Sequence, residues 1–122
     1  MRKAVGIVDD NPAMLGSMDR LLRAAGYDTE LFSSGEALLE SIATSTAGCL
    51  VIDIHLGGVS GIELARRLAE LGSTLPVIFM SGAVERRIEA AAAKSGCIAF
   101  LHKPFPADRL VESIEKALQP VE

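Results

Sequence analysis

Five polar residues carry the chemistry open to this sequence: Asp9, Asp10, Asp53, Ser81 and Lys103. Each has an ordinary explanation when taken alone. Asp9-Asp10 suits an acidic chain, Asp53 a strand-ending turn, and Ser81 a turn or helix cap. Lys103 suits a surface ion pair. Gathered at one edge they imply something else. Two unit charges ~4 Å apart repel by roughly 4 kcal/mol at an effective dielectric near 20. A divalent cation relieves that repulsion. All-oxygen ligands, with no His or Cys cluster, favour Mg2+ or a similar hard ion such as Mn2+ over Zn2+. Such an ion commonly keeps waters and takes phosphate oxygens as further ligands. Lys103 then offers a positive point charge to an anion, and Ser81 a hydrogen bond to a phosphate oxygen. Gly82 leaves space beside it for a bulky group.

Missing features narrow the chemistry further. No Gly-rich loop follows Val8, so there is neither a Walker loop nor a dinucleotide fingerprint. Asp9 and Asp10 would repel a directly bound phosphate. His55 and His102 are the only histidines, and neither has a base-and-nucleophile partner by spacing. A phosphate therefore meets the site through a metal, with a carboxylate as nucleophile.

The elements that must position these residues alternate. Near-continuous apolar runs mark strands at Ala4–Val8, Cys49–Asp53, Pro76–Met80 and Ile98–Leu101, with a weaker strand around Tyr27–Phe32. Between them lie helical patterns. Asn11-Pro12 starts a helix with Met14, Leu15, Met18, Leu21, Leu22 and Ala25 on one stripe, and Gly26 closes it. Ser33-Ser34-Gly35-Glu36 has capping-box form and opens a second helix with Ala37, Leu38 and Ile42 inward. Thr44–Gly48 is a loop, and Gly57-Gly58 marks a flexible turn. Ser60-Gly61-Ile62-Glu63 is another capping box, opening a helix with Ile62, Leu64, Ala65, Leu68 and Leu71 inward, which Gly72 ends. A fourth helix is predicted over Val84–Ser95, and a fifth from Pro106 to Leu118, stopped by Pro120. His102-Lys103-Pro104 follows the last strand, and its proline suits a tight turn or a cis bond.

Five βα units in series imply a parallel sheet with right-handed crossovers. The expected architecture is a doubly wound α/β (βα)5 fold of flavodoxin-like strand order 2-1-3-4-5, with residues 1–122 as one domain. In that order the switch point lies between strands 1 and 3, and the five polar residues all fall at carboxyl ends of strands.

Composition agrees. At 122 residues, one core is possible and a second is not. Apolar residues make up 49% and charged residues 23%, a globular balance. Aromatics are only 4%, so the core must be aliphatic. Twelve Lys and Arg against sixteen Asp and Glu argue against a main task of gripping nucleic-acid phosphates. The apolar runs Ala47–Ile52 and Leu75–Met80 fall far short of the roughly 20 residues that span a bilayer. Arg2 and Lys3 resemble a signal-peptide start, but Asp9 and Asp10 interrupt the apolar run. Cys49 and Cys97 make no disulfide framework, and both suit small buried thiols in a reducing cytoplasm.

The constellation resembles the receiver domain of bacterial two-component response regulators. The resemblance spans essentially the whole chain. It rests on Ile7-Val8-Asp9-Asp10, on Val51-Ile52-Asp53-Ile54-His55-Leu56 with Ser60-Gly61-Ile62-Glu63-Leu64, on Pro76-Val77-Ile78-Phe79-Met80-Ser81-Gly82, and on Phe100-Leu101-His102-Lys103-Pro104-Phe105. Ser81-Gly82-Ala83 also resembles receivers attached to helix-turn-helix outputs, as in nitrogen-fixation regulators. The resemblance implies that Asp53 accepts a phosphoryl group from a sensor histidine kinase. It implies Mg2+ held by Asp10 directly, by Asp9 largely through water, by Asp53, and by the His55 backbone carbonyl. Lys103 and Ser81 would stabilise the phosphoryl group, and Phe100 would be the aromatic switch that follows Ser81. The fourth helix, fifth strand and fifth helix would form the output face. That face would serve a tethered transcriptional domain, a protein partner of a stand-alone regulator, or a second copy. Three residues depart from the family pattern: Gly57 for a frequent Pro, Phe100 for the commoner Tyr, and Ser81 for the commoner Thr.

Rival readings fit less well. A haloacid-dehalogenase-type phosphatase needs an acid two residues after its nucleophile, where His55 stands. A flavodoxin-like cofactor binder needs a phosphate loop where Asp9-Asp10 stands. A receiver-shaped module without phosphorylation would be free to lose part of the acid, hydroxyl and lysine set.

Overall fold

The computed structural model describes residues 4–82 and 86–119. Its elements alternate as β1 (Ala4–Val8), α1 (Pro12–Ala24), β2 (Asp28–Phe32), α2 (Gly35–Ser41), β3 (Ala47–Asp53), α3 (Gly61–Glu70), β4 (Val77–Ser81), α4 (Arg86–Lys94), β5 (Ala99–His102) and α5 (Ala107–Ala117). The five strands are parallel, as the alternation implies, and their order β2-β1-β3-β4-β5 is the flavodoxin-like one expected for five strands in a domain of this size. Val84 and Glu85, the expected start of the fourth helix, lie outside the described residues, as does Pro120.

Every residue of β1 is buried, and so are Cys49–Asp53 of β3, because helices cover both faces of the sheet. On one face Val5, Ile7, Val51, Ile78, Met80 and Leu101 meet Leu15, Met18 and Leu22 of α1 and Leu110 and Ile114 of α5. On the other, Val8, Leu50, Ile52 and Phe79 meet Leu38 of α2, Leu64 and Leu68 of α3, and Ala92 of α4. The core is aliphatic apart from Phe79 and Phe32.

Helix starts follow local chemistry. Asn11 accepts from the backbone N–H groups of Ala13 and Met14, with Pro12 in the first turn. Ser60 accepts from Glu63 N–H, as expected of a capping box. The return half of that box is not made, because the Glu63 carboxylate binds Arg66 and Arg67 along the helix. At α2 the cap is Ser34, which accepts from Ala37 N–H. A box from Ser33 to Glu36 is therefore not formed; Glu36 instead accepts from Val59 N–H across the loop. Leu71, expected inward, is 66% exposed, because α3 ends at Glu70 and the chain turns at Gly72 with φ +89°. Cys49 is buried inside β3, whereas Cys97 is half-buried just before β5. Several strand bounds shift by one or two residues, with β3 starting at Ala47 and β4 and β5 reaching Ser81 and His102.

Candidate functional site: an acid pocket at the sheet switch point

The carboxyl ends of β1, β3, β4 and β5 meet beside the switch between β1 and β3. Backbone bonds fix those ends. Asp9 N–H donates to Phe32 O at 3.1 Å, Ile54 N–H to Met80 O at 2.9 Å, and Lys103 N–H to Ser81 O at 2.8 Å. The side chains that follow are therefore placed by the sheet, and not by mobile loops.

Three carboxylates converge there. Asp9, Asp10 and Asp53 each offer an oxygen such that all three lie within 4.8 Å of one another. Asp9 and Asp53 are buried, and Asp10 is exposed. Lys103 Nζ donates to Asp53 Oδ2 at 2.8 Å and to Asp9 Oδ2 at 3.1 Å. The other Asp53 oxygen accepts from His55 N–H at 2.8 Å, and the other Asp9 oxygen from Asn11 N–H at 2.9 Å. Asp10 Oδ2 accepts from Gly57 N–H at 3.3 Å, so the Gly57 turn is tied to the acid cluster.

The electrostatics follow from burial. Desolvation raises the Asp9 carboxyl above its ordinary value, against the pull of Asn11 N–H and Lys103. Burial also works against the Lys103 ammonium, but its bonds to Asp53 and Asp9 outweigh this and hold it above the ordinary lysine value. The donor set suits a hard cation. The three carboxylate oxygens lie near enough to one another to face a single ion, and among the described residues no His or Cys ligand joins them.

The remaining predicted residues lie around this centre. Ser81 is fully buried at the end of β4, and its Oγ lies 3.1 Å from His55 Nε2. Gly82 is exposed, with no atom within 4 Å of where a Cβ would stand. Phe100 is half-buried on β5, packed against the α2–α3–α4 face of the core, with its ring 5.0 Å from that of His102. Pro104 follows a cis peptide bond after Lys103 and lines a shallow groove with Met14, Met18, Leu21 and Phe105.

Three features were not drawn from the sequence. One is the imidazole of His55 over Ser81, two residues that are 26 apart in the chain. Another is Gly61, where a Cβ would stand only 2.4 Å from the Asp53 carbonyl oxygen. The third is the contact of His102 Nε2 with Glu89 Oε1 at 2.6 Å, joining β5 to α4 beside Phe100. Only Gly61 left a local signal, a glycine at a helix start directly after a capping serine.

Strand order and pocket together define a flavodoxin-like α/β fold with a carboxylate–lysine cluster at its switch point. Residues 5–115 match the family model of the response regulator receiver domain, and the chain belongs to that family. It is 38% identical over 113 residues to Response regulator protein TmoT of Ectopseudomonas mendocina, covering 93% of this chain and 51% of that protein. It is 36% identical over 116 residues to Transcriptional regulatory protein FixJ of Bradyrhizobium diazoefficiens, covering 95% of this chain and 57% of that one. The chain thus spans about half the length of these curated relatives. Among solved structures, that of FixJ-N superposes with a TM-score of 0.92 at 30% identity, over 100% of this chain and 98% of the other. The response regulator StyR superposes with a TM-score of 0.89 at 34% identity, over 98% of this chain and 60% of the other.

Proposed function

We propose that this chain is the phosphoryl-accepting receiver of a two-component response regulator, with Asp53 as the acceptor and residues 1–122 acting as one domain. The observation that carries this reading is the Lys103 ammonium held between Asp9 and Asp53 beside a third carboxylate. Within that group one Asp53 oxygen is fixed by His55 N–H and the other by Lys103.

In the proposed step an Asp53 oxygen attacks phosphorus in line. The donor is a phosphohistidine of a sensor histidine kinase or a small phosphodonor. A new P–O bond forms, the bond from phosphorus to the donor breaks, and the leaving group keeps the electron pair. Lys103 neutralises charge on the transferring oxygens. Asp9, Asp10, Asp53 and the His55 backbone carbonyl would hold Mg2+ or Mn2+, which supplies Lewis-acid neutralisation of the phosphoryl oxygens when bound. The gain is self-catalysed phosphorylation and dephosphorylation, not turnover of a released substrate.

The aspartyl phosphate adds charge to a pocket already rich in acids. Ser81 hydrogen-bonds the phosphoryl group, and Phe100 turns into the space that Ser81 vacates. Gly57, Gly82 and Pro104 shape the loops that accommodate this. The change is a shift between two packings of the α4–β5–α5 face, driven only by the difference in phosphoryl interaction energy. That face is the expected contact for a homodimer or an output domain. Relatives with names such as transcriptional regulatory protein extend to about twice the length of this chain, which supports a transcriptional output domain outside it. The formal net charge of −4 argues against direct nucleic-acid binding by these residues. Two free thiols, Cys49 and Cys97, suit a reducing cytoplasm. Among the described residues no helix is long and apolar enough to cross a membrane.

Incubation with Mg2+ and acetyl phosphate, followed by intact mass measurement, tests the reading. The expected result is one added phosphoryl group, lost with EDTA and in Asp53→Asn. An adduct that survives in Asp53→Asn removes Asp53 from its role.

A further inference from the structure

His55 is tied into the pocket through both its backbone and its ring. Its N–H is bound by the carboxylate of Asp53, its carbonyl belongs to the candidate metal set, and its imidazole reaches Ser81. The imidazole is the exposed partner and the serine the buried one, so the ring lies on the solvent side of the hydroxyl. His55 is one of the partners of that hydroxyl.

A hydroxyl has one proton to donate, and a phosphoryl oxygen can only accept. With His55 Nε2 as the acceptor, a phosphoryl group on Asp53 therefore needs the Ser81 proton turned from the ring toward phosphorus. We propose that the His55 imidazole is a clasp on Ser81: a positioning residue that holds the hydroxyl in the unphosphorylated arrangement and must release it when Asp53 is modified. This rests on the receiver reading. The clasp sets how far the unmodified protein is biased against the switched packing. Its backbone position is dictated by Asp53 itself, so any movement of the acceptor carboxylate is felt directly by the ring that holds the switch hydroxyl.

Beryllofluoride is the probe, since beryllium bonds a carboxylate oxygen and its fluorines occupy the positions of phosphoryl oxygens. Affinity is read from amide shifts in 15N-labelled protein with Mg2+ present. Because His55 is exposed, its variants keep the core intact. Losing one net hydrogen bond from the unswitched state should tighten the beryllofluoride complex of His55→Ala roughly fivefold. His55→Gln, whose amide reaches about as far as Nε2, should stay within about twofold of the native protein. In a Ser81→Ala background, His55→Ala should have no effect, because the clasp has nothing to hold. Without metal or beryllofluoride, the Ser81 and Gly82 amides should shift in His55→Ala and not in His55→Gln. Unchanged or weaker binding by His55→Ala, or an equal shift in both backgrounds, overturns the clasp. A native protein that does not respond to beryllofluoride at all overturns the receiver reading itself.

Discussion

Gly61 offers a direct test of how the fold holds Asp53, the proposed acceptor. It opens α3, and its N–H donates to Ile54 O at 2.9 Å, which draws the helix start against the end of β3. A Cβ there would stand 2.4 Å from Asp53 O, 2.8 Å from Ile54 Cα and 3.0 Å from Asp53 C. Ordinary contact begins at 3.4 Å, so the strand end or the helix must retreat by about 1 Å. The obstacles are backbone atoms, and they are tied in place by Ile54 N–H to Met80 O. Overpacking against such atoms costs about 3 kcal/mol, and the lower chain entropy of Ala returns about 0.5–1 kcal/mol. The net loss of about 2 kcal/mol lowers the melting temperature by about 8 °C. The same displacement moves Asp53 against Lys103, and a misplacement of about 1 Å slows phosphoryl uptake on the order of 100-fold. Gly16→Ala is the matching control. It lies inside α1, where a Cβ meets only the flexible Arg20 guanidinium at 3.4 Å, and should gain about 0.5–1 kcal/mol. Thermal unfolding by circular dichroism and phosphorylation rates by mass spectrometry read both variants. A Gly61→Ala protein with native stability and native uptake would refute the argument that this close approach fixes the acceptor.

Mg2+ should stabilise the protein by about 1.4 kcal/mol at ten times its Kd, seen as a rise in urea midpoint, and Asp10→Asn should abolish the rise. In metal-free buffer Asp9→Asn should raise the urea midpoint, since burial disfavours the charged Asp9 and the amide removes that charge. The pH dependence has two opposing parts. Asp9 is raised above 3.8, so its destabilising charge is lost and stability is gained as pH falls through its folded value; the Asp9→Asn profile should lack that gain. Glu63 is held down to about 2 by Arg66 and Arg67, so its stabilisation is present above 4.5 and lost as pH falls toward 2; Glu63→Gln should flatten that limb, most clearly at low salt. Burial pushes the Cys49 thiol up to about 12, so a thiol reagent should modify half-buried Cys97 well before Cys49 in the native protein.

The alternation of strands and helices was legible because parallel strands buried on both faces need unbroken apolar runs, and β1 and β3 supply them. Each run ends at an acid, which places Asp9, Asp10 and Asp53 at strand ends once the strands are neighbours. Lys103 could be placed at the same edge, but not its double contact with Asp9 and Asp53, which depends on where β5 stands relative to β1. The His55–Ser81 contact was hidden for the same reason, since it joins the ends of β3 and β4 through side chains. Capping residues were legible as types, but the carboxylates of Glu36 and Glu63 choose partners outside the cap, one across a loop and one along the helix. Leu71 fits the helical stripe of α3 yet turns outward, because periodicity does not say where the helix stops.

The central claim is that the pocket directs a phosphoryl group to one particular carboxylate among three. Borohydride reduces an acyl phosphate to an alcohol, which turns a phosphorylated Asp into homoserine and leaves free carboxylates untouched. Protein treated with Mg2+ and acetyl phosphate, then reduced and sequenced by peptide mass spectrometry, should carry homoserine at position 53 and not at 9 or 10. Homoserine at Asp9 or Asp10, or none at any of the three in protein that binds Mg2+, would contradict the account.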